Sequence, residues 1–255
     1  MMTIDRFAPT QRPQGRVAQR QSWHHLTFLH WRIPVETLRP HIPGELEIDT
    51  FEGNAYIGIV PFTMTGVRPI WAPPVPPLSN FHETNVRTYV HHRGKDPGVW
   101  FFSLDASSRI AVAIARTFWH LPYHNARMTL EPSCDVIRYT SARRSPPPVP
   151  AVCNVTCHPV SPPQHAELGS LEHFLAERYI LFARAGDGRL RRGYVHHTPY
   201  PLQRAEISKW EESLLAAAGI ERPAGHPIAH YAARVDVDVF ALDSVVSVAA
   251  SAAHV

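Results

Sequence analysis

Apolar and polar residues alternate over residues 23–33, the two-residue period of a strand. Pro34 then opens a short helix over 35–41, which Pro43-Gly44 stops. Residues 46–51 and 55–62 flank a Glu52-Gly53-Asn54 turn and read as a hairpin. Further strands are expected at 81–91, 99–106, 126–139, 151–159 and 235–241. Residues 178–184 and 190–196 form another hairpin around Gly186-Asp187-Gly188. Helical spacing recurs in three further stretches. Residues 107–118 put Ile110, Ala113, Ile114 and Phe118 on one stripe. Residues 171–177 form a short helix, and 207–217 a longer one that Gly219 caps in the left-handed conformation.

Two segments break the pattern. Residues 69–77 hold five prolines, and Pro146, Pro147, Pro148 and Pro150 crowd the second. Such chain is stiff and extended, which suits the rim of a pocket. Many strands, few short helices and no repeat predict an α+β, β-rich fold. Antiparallel sheets, curved or closed into a barrel, would carry short helices on the outside. One domain spans 23–245. Residues 1–22, with Pro, Gln and Arg enriched toward their end, read as a flexible arm, and 246–255 as a C-terminal tail.

Composition narrows the function classes. Of 255 residues, 44% are hydrophobic, enough for a sizeable core. The net charge is +3 and the basic residues are scattered, which argues against nucleic acid. No run of 18 apolar residues predicts a membrane span, and the N-terminus lacks a signal peptide's apolar stretch. Cys134, Cys153 and Cys157 are an odd set, pointing to a reducing, cytoplasmic setting. A strand over 151–158 would hold Cys153 and Cys157 about 13 Å apart on one face, too far for one metal, so they read as buried thiols. HExxH, a Gly-rich phosphate loop and a nucleophile elbow are all missing, so neither metal nor cofactor is expected. A homo-oligomer stays open.

The chemistry concentrates between Phe81 and His124. In Glu83-Thr84-Asn85-Val86-Arg87, strand alternation puts Glu83, Asn85 and Arg87 on one face. Arg116 precedes a Leu121-Pro122-Tyr123-His124 turn that adds a phenol and an imidazole. A carboxylate with such partners around an apolar cavity can do general acid–base work. Alternatively, Glu83 is a buried structural partner of Arg87 or Arg116. Arg87 and Asp105 lean structural.

His30-Trp31-Arg32, Leu38-Arg39-Pro40, the run from Leu46 to Gly53, the run from Glu83 to Val90, Phe102-Ser103-Leu104-Asp105-Ala106, Leu121-Pro122-Tyr123 and Glu177-Arg178-Tyr179 together resemble the YqjF-like family of uncharacterised bacterial proteins. A wider resemblance, carried by Leu38-Arg39-x-x-Ile42-Pro43, Leu46-Glu47-Ile48-Asp49, Glu83, Leu104-Asp105 and Arg116 before Pro122, is to acetoacetate decarboxylase. It is strongest over 23–124. It implies a cone-shaped antiparallel barrel and a pocket role for Glu83. His24 lies near where that family carries a pocket arginine, and His120 is a further candidate for binding ligand. That family uses two adjacent lysines after the turn proline, one forming a Schiff base. The matching positions here are Tyr123 and His124, and the only lysines are Lys95, in a turn, and Lys209, at the start of the last expected helix.

The expected function is therefore to bind a small organic carboxylate or carbonyl compound. Glu83, with Tyr123 or His124, would act as acid–base catalyst of a lyase, isomerase or hydrolase without a Schiff-base lysine. Arg116, Asn85, Arg87, His24 and His120 would hold the ligand. A non-catalytic ligand-binding or sensing protein on the same barrel is the competing expectation, and a structural role the third.

Overall fold

The computed structural model describes residues 4–76 and 78–245. The expected tail at 246–255 lies outside them. Thirteen strands form one curved sheet among the described residues. They are β1 Val17–Ile33, β2 Glu47–Ile48, β3 Ala55–Pro69, β4 Phe81–His92, β5 Lys95–Ala106, β6 Tyr123–Pro132 and β7 Ile137–Ser145, followed by β8 Val152–Pro159, β9 Ile180–Arg184, β10 Leu190–His196, β11 Leu202–Glu212, β12 Ile228–Phe240 and β13 Asp243–Ser244. The helices are short: α1 Val35–Leu38, α2 Arg109–Ile114, α3 Leu171–Ala176 and α4 Leu214–Ala217.

The strand order is β13-β10-β9-β5-β6-β7-β8-β11-β12-β1-β3-β4-β2, and two further pairings, β5 with β4 and β10 with β12, bend it back on itself. One circuit therefore runs β5-β6-β7-β8-β11-β12-β1-β3-β4 and returns to β5. The other runs β5-β9-β10-β12-β1-β3-β4 and returns. Strands β12, β1, β3, β4 and β5 belong to both, so where the two circuits overlap a strand has an interior on either side. The packing follows parity. Leu29, Trp31 and Ile33 of β1 join Ile57 and Ile59 of β3 and Val86 and Val90 of β4 in one core. Leu26 and Phe28 join Val60, Phe62, Met64 and Phe81 in the other. Consequently every residue from Ala55 to Phe62 and from Glu83 to His91 is buried. Strand β7 belongs to one circuit only and alternates buried with exposed. The pairings are antiparallel except β5 with β6 and β5 with β9. Gly98 permits the second: a Cβ there would lie 2.6 Å from the Ile180 carbonyl oxygen.

Several expected elements change. Strand β1 starts at Val17 rather than Trp23, because Gln19 and the residues after it pair with both β12 and β3, so the end of the expected arm is sheet. Residues 46–51 do not pair with 55–62; β2 pairs with β4 instead. The single strand expected over 126–139 is the β6–β7 hairpin, with Ser133 N donating to Val136 O at 2.9 Å in its turn. The helix expected over 207–217 is strand β11 followed by the single turn α4. A register shift between Ile207 and Lys209 places Ile207 and Trp210 three apart on the inner face, which imitates helical spacing. Lys209 is thus an exposed strand residue. Residues 107–118 split into α2 and a π turn, Ala115–Trp119. Their apolar stripe is not core: Ile110, Ile114 and Phe118 are all exposed. Cys153 and Cys157 are buried free thiols on β8, and burial pushes the Cys157 thiol up to about 11. No helix among the described residues is long and apolar enough to cross a membrane.

Asp105, at the end of β5, faces the larger circuit. Arg143 of β7 grips it there, Nε at 3.0 and 3.1 Å from the two carboxylate oxygens and Nη2 at 2.7 Å from Oδ1. Both side chains are sealed from water. Removing one partner strands a buried charge, so Arg143→Met should lower the unfolding free energy by roughly 3–5 kcal/mol. Denaturant titration checks this, and the double variant Arg143→Met with Asp105→Leu should recover much of the loss. No recovery would mean that the guanidinium does more there than neutralise Asp105.

Candidate functional site

The smaller circuit encloses a cavity of about 430 Å³, lined by β1, β3, β4, β5, β9, β10 and β12 and closed by α2 and the proline-rich segment after β3. Most of its wall is apolar, from Leu26, Val60, Phe62, Met64, Phe81 and Leu104 among others. Against that wall stand the polar groups of β4. Glu83, Asn85 and Arg87 all point inward, as alternation requires, while Thr84 and Thr88 turn to the other side. Their neighbours are Phe62, Val60 and Gly58 on β3 and Ala106, Leu104 and Phe101 on β5. Gly58 leaves room beside Arg87 and accommodates His30, whose ring a Cβ would approach to 2.7 Å.

Tyr123 completes the acidic end. The parallel pairing of β6 with β5 sets Tyr123 opposite Leu104 and His124 opposite Asp105. Tyr123 therefore shares the cavity face, and its hydroxyl donates to Glu83 Oε2 at 2.6 Å. Glu83 has no cationic partner within ion-pair distance among the described residues. Burial is the main cause that raises its carboxyl to about 8; Asp105 raises it further, and the Tyr123 hydroxyl acts in the opposite direction. At neutral pH Glu83 is mostly a neutral acid. Burial, then Glu83, pushes the Tyr123 phenol well above its usual range. The main chain here is pinned by Tyr139, whose hydroxyl donates to Glu83 O at 2.9 Å and accepts from Thr84 Oγ1.

The other end is cationic. Arg87 Nη2 donates to Leu175 O at 3.0 Å and its guanidinium lies over the rings of Phe28 and Tyr89. It has no carboxylate within ion-pair distance among the described residues, and its Nε has no protein partner. Asn85 Oδ1, Trp23 Nε1 and Arg178 Nη2, on residues that also line the cavity, are likewise buried without a partner. Buried polar atoms rarely stay unpaired, so four on the lining of one cavity mark where a ligand would bind.

The remaining expected residues lie elsewhere. Arg116, His120 and His124 line a more open cleft with His41 and Arg184. Arg116 Nη1 holds the Tyr123 carbonyl at 2.7 Å, and His124 Nδ1 bonds the Pro146 carbonyl at 2.9 Å. His24 pairs with Thr65 Oγ1 at 2.9 Å and does not line the cavity. Conversely, Trp23, Arg178 and Tyr200 are cavity residues that the sequence reading did not propose. Arg178 is neutralised by Asp49 at 2.8 Å, and Arg6 donates to the same carboxylate. Glu177 accepts from the Tyr179 hydroxyl at 2.5 Å and from Tyr200 N at 2.9 Å. The Glu177-Arg178-Tyr179 motif thus anchors this wall. Lys95 and Lys209 are exposed and are not among the lining residues.

Residues 20–236 match the DUF2071 family, described as an uncharacterized conserved protein. The chain belongs to that family. It is 41% identical over 225 residues to the uncharacterized protein YqjF of Bacillus subtilis (strain 168), covering 88% of this chain and 91% of YqjF. The fold is that of acetoacetate decarboxylase-like enzymes. The Legionella pneumophila acetoacetate decarboxylase superposes with a TM-score of 0.63 at 12% identity, over 94% of both chains. The enduracididine biosynthesis enzyme MppR, complexed with pyruvate, gives 0.64 at 10% identity over 94% of this chain and 95% of its own. In this DUF2071 member the same architecture carries a cavity without a lysine among its lining residues.

The raised Glu83 carboxyl has a signature in stability. The folded chain keeps this proton up to about pH 8, whereas the unfolded chain releases it near 4.5. Folding therefore takes up a proton between these values, and the contribution of Glu83 is fully present below the lower one and lost as pH rises through the upper. The unfolding free energy of wild type minus that of Glu83→Gln should fall by up to about 1.4 kcal/mol per pH unit between pH 5 and 8. Denaturant titrations at both pH values test it, and a constant difference would mean that Glu83 is ionised in the fold.

Proposed function

We propose that this protein is an acid–base enzyme acting on a small 2-oxo or 3-oxo acid, without covalent attachment to a lysine. The observation that carries the reading is the Glu83–Tyr123 pair, a neutral carboxyl and a phenol 2.6 Å apart against an apolar wall. A carboxyl poised near 8 serves both to take and to return a proton near neutrality. The Arg87 guanidinium, with its free Nε, supplies the charge for the ligand's carboxylate. Glu83 and Arg87 are four residues apart on one strand, about 13 Å between Cα atoms. Two inward side chains and a short oxo acid fill that span. In the simplest step the Glu83 carboxylate removes a proton from the carbon next to the carbonyl. The C–H electron pair moves into the new carbon–carbon double bond, and the carbonyl oxygen becomes an enolate oxygen. The Asn85 amide, on the same face, is placed to donate to that oxygen, while the Tyr123 hydroxyl stays on Glu83.

Pyruvate bound to MppR supports the ligand class by analogy of fold alone. The test is exchange of the methyl protons of pyruvate for deuterium, followed by NMR. Exchange should rise with pH through about 8 as the Glu83 carboxylate forms, and Glu83→Gln should abolish it without unfolding the chain. Tyr123→Phe removes a hydrogen bond that lowers the Glu83 value, so its inflection should move to higher pH. Borohydride with pyruvate should leave the protein mass unchanged, since no amine lines the cavity. Exchange that persists in Glu83→Gln would refute the catalytic role.

A second reading is binding without turnover. It draws on the four unpaired polar atoms: a carboxylate would accept from Arg87 Nε, Arg178 Nη2 and Trp23 Nε1, and a donor on the ligand would serve Asn85 Oδ1, whether or not chemistry follows. Pyruvate that binds, weakens with Arg87→Gln and never exchanges would select it.

A further inference from the structure

Resting on that reading, we infer that the ligand is an oxo acid with an unbranched apolar chain, whose far end leaves the cavity between the proline-rich segment and α2. Glu83, Asn85, Arg87 and Tyr123 gather polar groups at one part of the cavity, and most of the remaining lining is apolar, with Gln19, Gln21 and Arg68 among the exceptions. Phe62, Met64 and Phe81 continue the apolar surface toward Val75 and Leu78 of the proline-rich segment and toward Ile110 and Ile114 of α2, all on the same cavity wall. A volume of about 430 Å³ belongs with ligands well above three or four carbons.

The rim makes the same point from outside. Of the eleven large hydrophobic side chains exposed among the described residues, seven fall within 70–78 and 110–118, the two segments that flank the mouth. Trp71 is 84% exposed and Phe118 is 70% exposed. Single exposed hydrophobics are ordinary, but four of the seven, Val75, Leu78, Ile110 and Ile114, also line the cavity, and an exposed apolar group that continues an internal apolar wall marks a binding surface. It also accounts for the amphipathic stripe of 110–118, which faces outward instead of into the core. Because cavity wall and rim are one surface, one molecule with a polar head and an apolar tail covers both.

The experiment is calorimetric titration of the whole protein with pyruvate, 2-oxohexanoate, 2-oxooctanoate and 2-oxodecanoate, each below its aggregation concentration. Affinity should rise about fourfold per methylene, the factor corresponding to about 0.8 kcal/mol, until the chain reaches the rim. Val75→Asp and Ile114→Asp lie at exposed positions and should fold normally. They should cut the gain for the two longest acids and leave the shorter ones unchanged. If the shorter acids bind and the longer ones bind no tighter, the chain proposal fails while the carboxylate reading stands. If no acid binds at all, the carboxylate reading falls and this inference with it. If the rim variants instead lower the mass by light scattering and leave the length dependence intact, the rim joins two copies of this chain and the proposal is overturned.

Discussion

Five strands, β12, β1, β3, β4 and β5, are shared between two closed circuits, and this removes the solvent face from the centre of the sheet. A side chain there points into one interior or the other. Every polar residue in the buried centre of those strands must therefore find a partner, lose its charge or meet a ligand. The requirement converts the positions of Glu83, Asn85 and Arg87 from a pattern on a strand into a chemical problem, because water cannot solve it for them.

The buried acids show how differently the fold answers that problem. Asp105 faces the larger circuit and is held by three contacts from Arg143. Asp49 takes both Arg178 and Arg6. Glu177 has a phenol and a main-chain amide. Each is satisfied by the protein and none asks for a ligand. Glu83 has a single phenol and stays protonated, while on the same face Arg87 has one carbonyl and no acid. A scaffold built only for stability would have joined these two charges, as it did Asp105 and Arg143. They stay on one face of β4 with an unpaired Asn85 between them, a separation that makes sense when a carboxylate from outside completes Arg87.

The two-residue period predicted most strands, and it alone put Glu83, Asn85 and Arg87 on one face. The family motifs pointed to a decarboxylase-like fold and to Tyr123. What the sequence could not separate was Tyr123 from His124. Both follow Pro122, and only the register of β6 against β5, a long-range parallel pairing, turns one inward and the other toward Pro146. The same non-locality hid Arg178 and Tyr200, which reach the cavity from the far half of the chain. Ile207 and Trp210 misled in a different way, because a bulge supplies the three-residue spacing that a helix also has. The stripe from Ile110 to Phe118 was legible as amphipathic, but its spacing does not say whether the apolar side meets a core or a ligand.

The lack of a lysine among the residues that line the cavity also limits the chemistry. An imine draws electrons toward a cationic nitrogen, and loss of carbon dioxide from a 3-oxo acid relies on such a sink. A phenol beside a neutral carboxyl cannot accept an electron pair in that way. The carboxyl can hold a proton and release it near pH 8, and the phenol can donate a hydrogen bond to the carboxylate that forms. Those capacities suit steps in which the substrate's own carbonyl is the electron sink and its carboxylate is retained. Arg87 fits the same logic, since a fixed buried cation favours a carboxylate that stays over one that leaves. The cavity's charges and the missing amine thus suit the proposed proton transfer next to a carbonyl better than carbon–carbon bond cleavage.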